Sequence, residues 1–149
     1  MIYNTGYEAI ISGVLAVLIA QLLKLLIFYL KTGKIDWEYL STTGGMPSSH
    51  SAGVCALTMS VGLIEGFNST MFAVSGGYAL VVMYDAAGIR KNTGKIAKQL
   101  NQIIRDFYKS DLKTKSAQLK ELLGHTPNEV IIGALLGALL AFMLHYILG

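Results

Sequence analysis

Apolar runs alternate with short polar segments along the whole chain. Four runs stand out, at residues 9–30, 52–64, 71–84 and 130–148. At about 1.5 Å per helical residue, the first and last runs are long enough to cross a hydrocarbon core of about 30 Å. The two middle runs are short for a full crossing. They can span only if their helices extend into the flanking polar motifs, or if the bilayer thins locally.

The polar segments between the runs predict two kinds of connection. Residues 65–70 provide enough chain for a tight turn between the two helices of a hairpin. Residues 89–123 are polar and basic, with apolar side chains at helical spacing at Ile96, Leu100, Ile103, Ile104 and Phe107. This pattern indicates an amphipathic helix that lies on the membrane surface or packs on a partner helix.

The composition fits a chain that is solvated partly by lipid. Hydrophobic residues make up 53% of the 149 residues and charged residues 14%, with a mean hydropathy of +0.52. Soluble domains contain about 25% charged residues. The length leaves room for one domain, residues 1–149. We therefore predict an all-α fold, an integral membrane helical bundle with about four transmembrane helices plus an amphipathic surface helix.

The basic residues are distributed asymmetrically across the predicted membrane. When the four runs cross in turn, one face receives the ends at residues 30, 52, 84 and 130. All 12 Lys and Arg residues then fall at or near that face: Lys24, Lys31, Lys34, Arg90, Lys91, Lys95, Lys98, Arg105, Lys109, Lys113, Lys115 and Lys120. The positive-inside rule makes this face cytoplasmic. We call it the basic face.

Three unusual polar motifs converge on the basic face in the same topology. They are Gly44-Gly-Met-Pro-Ser-Ser-His50, Tyr84-Asp-Ala-Ala-Gly-Ile-Arg90 and Gly124-His-Thr-Pro-Asn-Glu129. The motifs are distant in sequence, so their convergence is the main indication of a functional site.

The first motif combines glycines with hydroxyl side chains at a predicted helix start. Gly45 lets the backbone approach a ligand closely, and Ser48 and Ser49 stand where the helix opens. Free N–H groups at a helix start attract anions, and His50 adds a further donor. The alternative interpretation is a plain loop and N-cap with His50 in solvent.

The third motif places His125 and Glu129 four residues apart, on one face of the start of the last helix. A carboxylate bonded to one imidazole nitrogen fixes the tautomer and makes the other nitrogen more basic. That arrangement suits a nucleophile or a general base. The alternative is a histidine–glutamate pair that only caps the helix.

Three further charged residues have two interpretations each. Asp85 and Arg90 close the third helix, where they either pair with each other or leave Arg90 to bind a phosphate bidentately. Lys24 sits inside an apolar run, where a charge is costly and usually functional. It could instead extend its ammonium group to the basic face.

Several other residues have structural explanations. Gly133, Gly137, Gly76 and Gly77 fall in apolar runs, where small residues let membrane helices pack closely. His145, near the opposite face, is expected to be interfacial and to play no part in chemistry.

At these motifs the sequence resembles the type 2 phosphatidic acid phosphatase superfamily, which includes vanadium haloperoxidases. It is more similar to a divergent branch of small membrane proteins described as acid phosphatase/vanadium-dependent haloperoxidase-related, over nearly the whole chain. The superfamily pattern is a Lys followed after six residues by Arg-Pro, then Pro-Ser-Gly-His, then Ser-Arg with a downstream His-x-x-x-Asp. Here Pro47-Ser-Ser-His50 resembles the second element and Gly124-His-Thr-Pro-Asn-Glu129 the third.

The resemblance implies a membrane-embedded phosphatase-like domain that needs no metal or other cofactor. His125 would attack phosphorus and form a phosphohistidine, oriented by Glu129, and His50 would protonate the leaving oxygen. The phosphoryl oxygens would be held by a set of basic, hydroxyl and backbone groups: Lys24, Lys31, Ser48, Ser49 and the backbone near Gly45.

The sequence departs from the superfamily pattern at several positions. Ser49 replaces a glycine, Glu129 replaces an aspartate, and Lys31-Thr32 stands in place of Arg-Pro. The Ser-Arg pair before the nucleophile is missing, and Arg90 is a candidate to supply its charge, with Asp85 supporting it. The expected partners are a lipid phosphate substrate and membrane lipids, without nucleic acid. The short chain and its glycine-rich helices are compatible with a homodimer.

Three hypotheses of different classes follow. The first is a phosphomonoesterase or pyrophosphatase acting on a lipid phosphate at the cytoplasmic face. The second is a non-catalytic protein that binds or transports lipid phosphates and retains the phosphate cradle. The third is a small structural membrane protein. A haloperoxidase is disfavoured because those enzymes do not need a membrane-embedded chain of this kind.

Overall fold

The computed structural model describes residues 2–35, 44–107 and 124–149, except for the side chains of residues 90, 91 and 105–107. The described residues form α-helices and no strands. The helices are α1 (Gly6–Thr32), α2 (Ser49–Glu65), α3 (Thr70–Ala87), α4 (Ile89–Phe107) and α5 (Pro127–Leu148). The chain is thus an all-α integral membrane bundle, as the hydrophobic pattern predicts.

The short apolar runs become longer helices because capping residues extend them. Ser48 caps α2 by accepting a hydrogen bond from the backbone of Ser51, and Ser69 caps α3 by accepting one from Phe72. The two helices therefore contain 17 and 18 residues, about 26 and 27 Å at about 1.5 Å per residue. Of the two conditions under which the middle runs could span, extension into the flanking polar motifs is therefore met.

Three helical stretches among the described residues are long and apolar enough to cross a membrane: Gly6–Thr32, Thr70–Ile104 and Pro127–Leu148. The second combines α3 with most of α4. The shorter helix α2 packs against α1, α3 and α5, so its neighbours surround it. The bundle is thus built around α2.

Small residues form the centre of the bundle. Ala16 and Ala20 of α1 meet Ala52 and Ala56 of α2, together with Ala141 of α5. Without side chains beyond Cβ, the backbones approach closely, and packing contacts replace the hydrophobic effect, which is weak between helices in lipid.

Glycines on α5 bring it against α2. A Cβ atom at Gly133 would overlap the backbone of Ser48, and one at Gly137 would overlap the backbone of Ala52. In contrast, a Cβ atom at Gly76 or Gly77 would meet no atom of the described residues within 4 Å. Close helix packing therefore accounts for the α5 glycines, but the same prediction for the two glycines of α3 is wrong.

The end of the bundle away from the three motifs holds a buried contact between a carboxyl group and an imidazole. Glu8, in the first turn of α1, is fully buried, and its Oε1 lies 2.7 Å from Nδ1 of His145 in the last turn of α5. The Asn4 backbone N–H donates to Oε2 of Glu8, and the Tyr3 ring packs on the His145 ring at 5.1 Å. His145 thus joins the two ends of the chain, a contact that the sequence does not predict.

Helix α4 is amphipathic, and α3 is the one helix it contacts among the described elements. The helical backbone is interrupted at Gly88, where φ is −107° and ψ is −80°. The sequence-predicted helix over residues 89–123 begins where expected, and its part beyond Phe107 falls outside the described residues.

Candidate active site

Two backbone hydrogen bonds bring the three polar motifs together at one end of the bundle. The Ser48 N–H donates to the Glu129 carbonyl at 3.0 Å, which joins the first motif to the third. The His125 N–H donates to the Ala86 carbonyl at 3.1 Å, which joins the third motif to the second. These bonds show that the convergence predicted from topology occurs in the fold.

His125 is held in a fixed orientation just before α5. Its Nδ1 lies 3.2 Å from Oε2 of Glu129, and the same carboxylate oxygen accepts the Thr126 N–H at 3.0 Å. The Thr126 side chain in turn accepts the Glu129 N–H, so a complete capping box starts the helix. Glu129 therefore both caps α5 and orients the imidazole of His125, two roles that the sequence leaves as alternatives.

The second imidazole nitrogen of His125 is the atom available for chemistry. The side chain is 2% exposed, and its Nε2 makes no hydrogen bond within the described part of the chain. With Nδ1 facing a carboxylate, the proton belongs on Nδ1 and the lone pair on Nε2. A buried nitrogen lone pair without a partner is unfavourable unless a ligand meets it.

Burial lowers the pKa of His125 below its usual 6.5, because an imidazolium loses solvation there. The hydrogen bond and negative charge of Glu129 raise the pKa in part, while the positive charge of Lys24 lowers it. The Gly45 backbone, which lies near the ring without making a hydrogen bond of ordinary length, also raises the pKa. The net effect keeps the ring neutral near neutral pH, which is the state a nucleophile requires.

His50 lies in the first turn of α2, directly beside His125. The two ring centroids are 6.0 Å apart and the rings meet edge to face at 67°. The structure therefore places the two imidazoles side by side, as the predicted convergence of the motifs requires.

Lys24 is buried in the bundle and does not extend to solvent. It is 2% exposed, and it lies close enough to Glu129 and His125 for their charges to interact. Of the two interpretations given by the sequence, the structure favours a lysine directed into the site. A buried cation beside a carboxylate is costly, and such residues in membrane helices usually serve function.

A cavity of about 410 Å³ opens next to these groups. Its lining is Lys24, Ile27, Phe28, Lys31, Gly45, Met46, Thr126, Asn128 and Glu129. The cavity shares Gly45 and Glu129 with the surroundings of His125, but neither imidazole lines it. It is therefore a positively charged chamber that adjoins the histidine pair.

The first motif contributes a turn and two buried hydroxyl groups. Gly45 has φ +84°, a left-handed conformation that favours glycine. Ser48 and Ser49 are buried, and the Ser48 Oγ accepts the Ser51 hydroxyl at 3.1 Å as well as its backbone N–H. Ser48 therefore acts as the N-cap of α2, and neither serine lines the cavity.

The second motif reaches the site through its backbone. Ala86 is buried and holds His125, whereas Asp85 is half-buried beside it. Arg90 is the second residue of α4, four residues after Ala86, and its side chain lies outside the described part of the structure. The fold thus brings the start of α4 near the histidines and leaves the role of the guanidinium as a prediction.

Sequence reasoning missed two polar residues that line the cavity, Thr126 and Asn128, and three apolar ones, Ile27, Phe28 and Met46. The signal for Thr126 was present, since Thr126 and Glu129 form the Ser/Thr-x-x-Glu pattern of a capping box. Asn128 carries no pattern of its own. Within the described ranges, no three His, Cys, Asp or Glu side chains cluster as metal ligands would.

Comparison with known proteins identifies the relatives of the chain. It is 42% identical over 147 residues to the uncharacterized membrane protein YuiD of Bacillus subtilis (strain 168), covering 92% of this chain and 93% of that protein. No solved structure matches it. The profile of the Divergent PAP2 family matches residues 6–140, which include all three motifs. The chain therefore belongs to the divergent PAP2 family of membrane proteins.

Proposed function

We propose that this protein is a membrane phosphatase that removes a phosphoryl group from a lipid phosphate through a phosphohistidine at His125. The observation that carries the proposal is the buried Nε2 of His125, which has no hydrogen-bond partner in the described part of the chain. Glu129 binds the opposite nitrogen, so the lone pair is directed away from the carboxylate.

The reaction divides into two displacements. In the first, the Nε2 lone pair forms the N–P bond while the P–O bond to the leaving group breaks, and His50 gives its proton to that oxygen. In the second, His50 accepts a proton from water as the water oxygen attacks phosphorus, which breaks the N–P bond and releases phosphate. Glu129 stabilises the positive charge that develops on His125 in both steps.

Positive charges beside the histidines would hold the phosphoryl oxygens. Lys24 and Lys31 line the adjoining cavity, and the positive φ of Gly45 turns the backbone there. Phosphoryl transfer depends mostly on positioning and charge neutralisation, which fixed lysines and backbone N–H groups supply. Ser48, Ser49 and Arg90 are further candidates for this role in the reacting complex.

The substrate class follows from the location of the site. The site is formed at the ends of membrane helices, where a lipid headgroup lies, and the basic residues of the sequence fall at the same end. We assign this end to the cytoplasm on the positive-inside rule. Phosphatidate, phosphatidylglycerol phosphate and prenyl diphosphates all place a phosphate at this depth.

Phosphate release by the purified protein tests the proposal. A panel of these three lipid phosphates is supplied without divalent metal, with vanadate as inhibitor, and His125→Ala is compared with wild type. We expect release by the wild type, inhibition by vanadate and loss of release in His125→Ala. Lys34→Ala, which changes an exposed lysine beyond α1, is the matched control and should keep full activity. Release that persists in His125→Ala would refute the nucleophile.

A second candidate is a non-catalytic lipid-phosphate binder, and one observation favours it. The cavity is lined by Lys24 and Lys31 but by neither imidazole. A binder predicts that lipid phosphate binds to wild type and His125→Ala equally, that Lys24→Met abolishes binding, and that no lipid on the panel is turned over. If the protein neither binds nor turns over any of these lipids, the third hypothesis, a small structural membrane protein, remains.

A further inference from the structure

We infer that helix α4 docks its apolar stripe into an anionic bilayer surface. The inference does not depend on the proposed phosphatase activity. Four large apolar side chains form the stripe, namely Ile89, Ile96, Leu100 and Ile103, and they are 41–62% exposed. At about 100° per residue they fall within a narrow arc of the helix.

The other sides of α4 are either buried against protein or exposed and charged. Gly94 and Asn101, seven residues apart, are buried, so that side of the helix faces protein. Lys95 and Lys98 are exposed on the side away from the stripe. The apolar stripe is therefore directed outward from the molecule, which is the reverse of a helix that covers a soluble core.

The attachment of α4 places the stripe within reach of the bilayer. The lipid-facing surface of α3 includes Val74, Tyr78 and Val81, all more than 60% exposed, and α4 continues from α3 after the break at Gly88. Docking requires α4 to lie along the membrane, which the non-helical backbone at Gly88 permits. A straight continuation would lift Ile103 about 22 Å above Gly88 at about 1.5 Å per residue and leave the stripe in water.

The net positive charge of α4 indicates that the bilayer surface it binds is anionic. Between Ile89 and Phe107 the sequence has five basic residues and one acidic residue. An amphipathic helix with lysines on its polar face and large apolar residues on the other is the pattern that binds in the plane of an anionic interface. A bilayer is therefore a better fit than a second copy of α4, which would bring like charges together.

Accessibility of spin labels in vesicles tests the inference on the full chain. In a Cys55→Ala background, a label is placed at Ile96→Cys or Ile103→Cys on the stripe, and at Gln102→Cys on the exposed polar side as the control. Vesicles contain phosphatidylcholine with or without phosphatidylglycerol. We expect oxygen to reach the stripe labels better than a water-soluble nickel complex does, and the reverse at position 102.

The outcome separates the possible occupants of the stripe. Nickel access to positions 96 and 103 would place the stripe in water and overturn the inference. Exclusion of both reagents with spin–spin broadening would show a second copy there and would also overturn it. In the double variant Lys95→Gln/Lys98→Gln, the equilibrium constant for docking of α4 on phosphatidylglycerol vesicles should fall by about fivefold for each lysine removed. An unchanged dependence on phosphatidylglycerol would refute the role of headgroup charge.

Discussion

Replacement of Gly133 by alanine tests how tightly the site depends on the contact between α5 and α2. Gly133 faces the backbone of Ser48, the residue that caps α2 and donates to the Glu129 carbonyl. An added Cβ would lie 3.1 Å from Ser48 N and 3.2 Å from its carbonyl carbon, and would overlap its carbonyl oxygen. The oxygen would have to move by roughly 1 Å to reach an ordinary contact distance.

The expected magnitude follows from two opposing effects. Overpacking costs about 1–3 kcal/mol, while alanine gains up to about 1 kcal/mol over glycine in a helix. In Gly77→Ala, where the new Cβ meets no atom within 4 Å, the helix gain stands alone. We therefore expect the unfolding free energy of Gly133→Ala to fall below that of Gly77→Ala by about 1–3 kcal/mol. A displacement of about 1 Å at the site can also reduce turnover by about 100-fold.

Thermal unfolding of the two purified variants in the same detergent measures the difference, and phosphate release measures the effect on the site. At this chain length, about 1 kcal/mol corresponds to a shift in Tm of about 2–4 °C. Equal Tm values for Gly133→Ala and Gly77→Ala, together with unchanged phosphate release, would refute the reasoning. They would mean that α2 yields to the new methyl group without cost.

Three further variants test other parts of the structure. Glu129→Gln removes the groups that raise the pKa of His125, so the acid limb of the pH–rate profile should move to lower pH while the rate at neutral pH falls; an unmoved acid limb would contradict the pairing. Lys24→Met should abolish the binding of vanadate, whereas Lys34→Met, which changes an exposed lysine, should leave it unchanged; calorimetric titration measures the binding to both variants. The stability of Lys24→Met should not fall, because the substitution removes a buried charge. Glu8→Gln weakens the buried hydrogen bond to the histidine in the last turn of α5, so chemical unfolding should show a loss of about 1–3 kcal/mol, and a neutral effect would argue against the pair.

The helical architecture could be predicted because hydrophobic runs and topology constrain it strongly. The convergence of His50 and His125 followed from counting crossings, without knowledge of any contact. Helix ends were less predictable, since the apolar runs stop before the capping residues. Ser48 and Thr126 carry the signals that restore the missing turns.

The parts that could not be predicted depend on which faces of distant helices meet. Glu8 and His145 are 137 residues apart in sequence, and neither is unusual within its own helix turn. Gly77 and Gly137 look alike in sequence, yet one faces open space and the other faces the backbone of Ala52. Composition shows that small residues exist for packing, but the pairing of helix faces decides where they are used.

The short length of α2 sets the depth of the whole site. Because α1, α3 and α5 surround it, α2 need not match the hydrocarbon thickness, and its first turn can begin below the rim formed by longer neighbours. Lys24 lies eight residues before the end of α1 at Thr32, about 12 Å along the helix axis. The cavity lined by Lys24 therefore extends about two helical turns below the end of α1. On the proposed function, a phosphate on a lipid would enter this cavity sideways from the leaflet, while a water-soluble phosphate ester would have to descend past the end of α1.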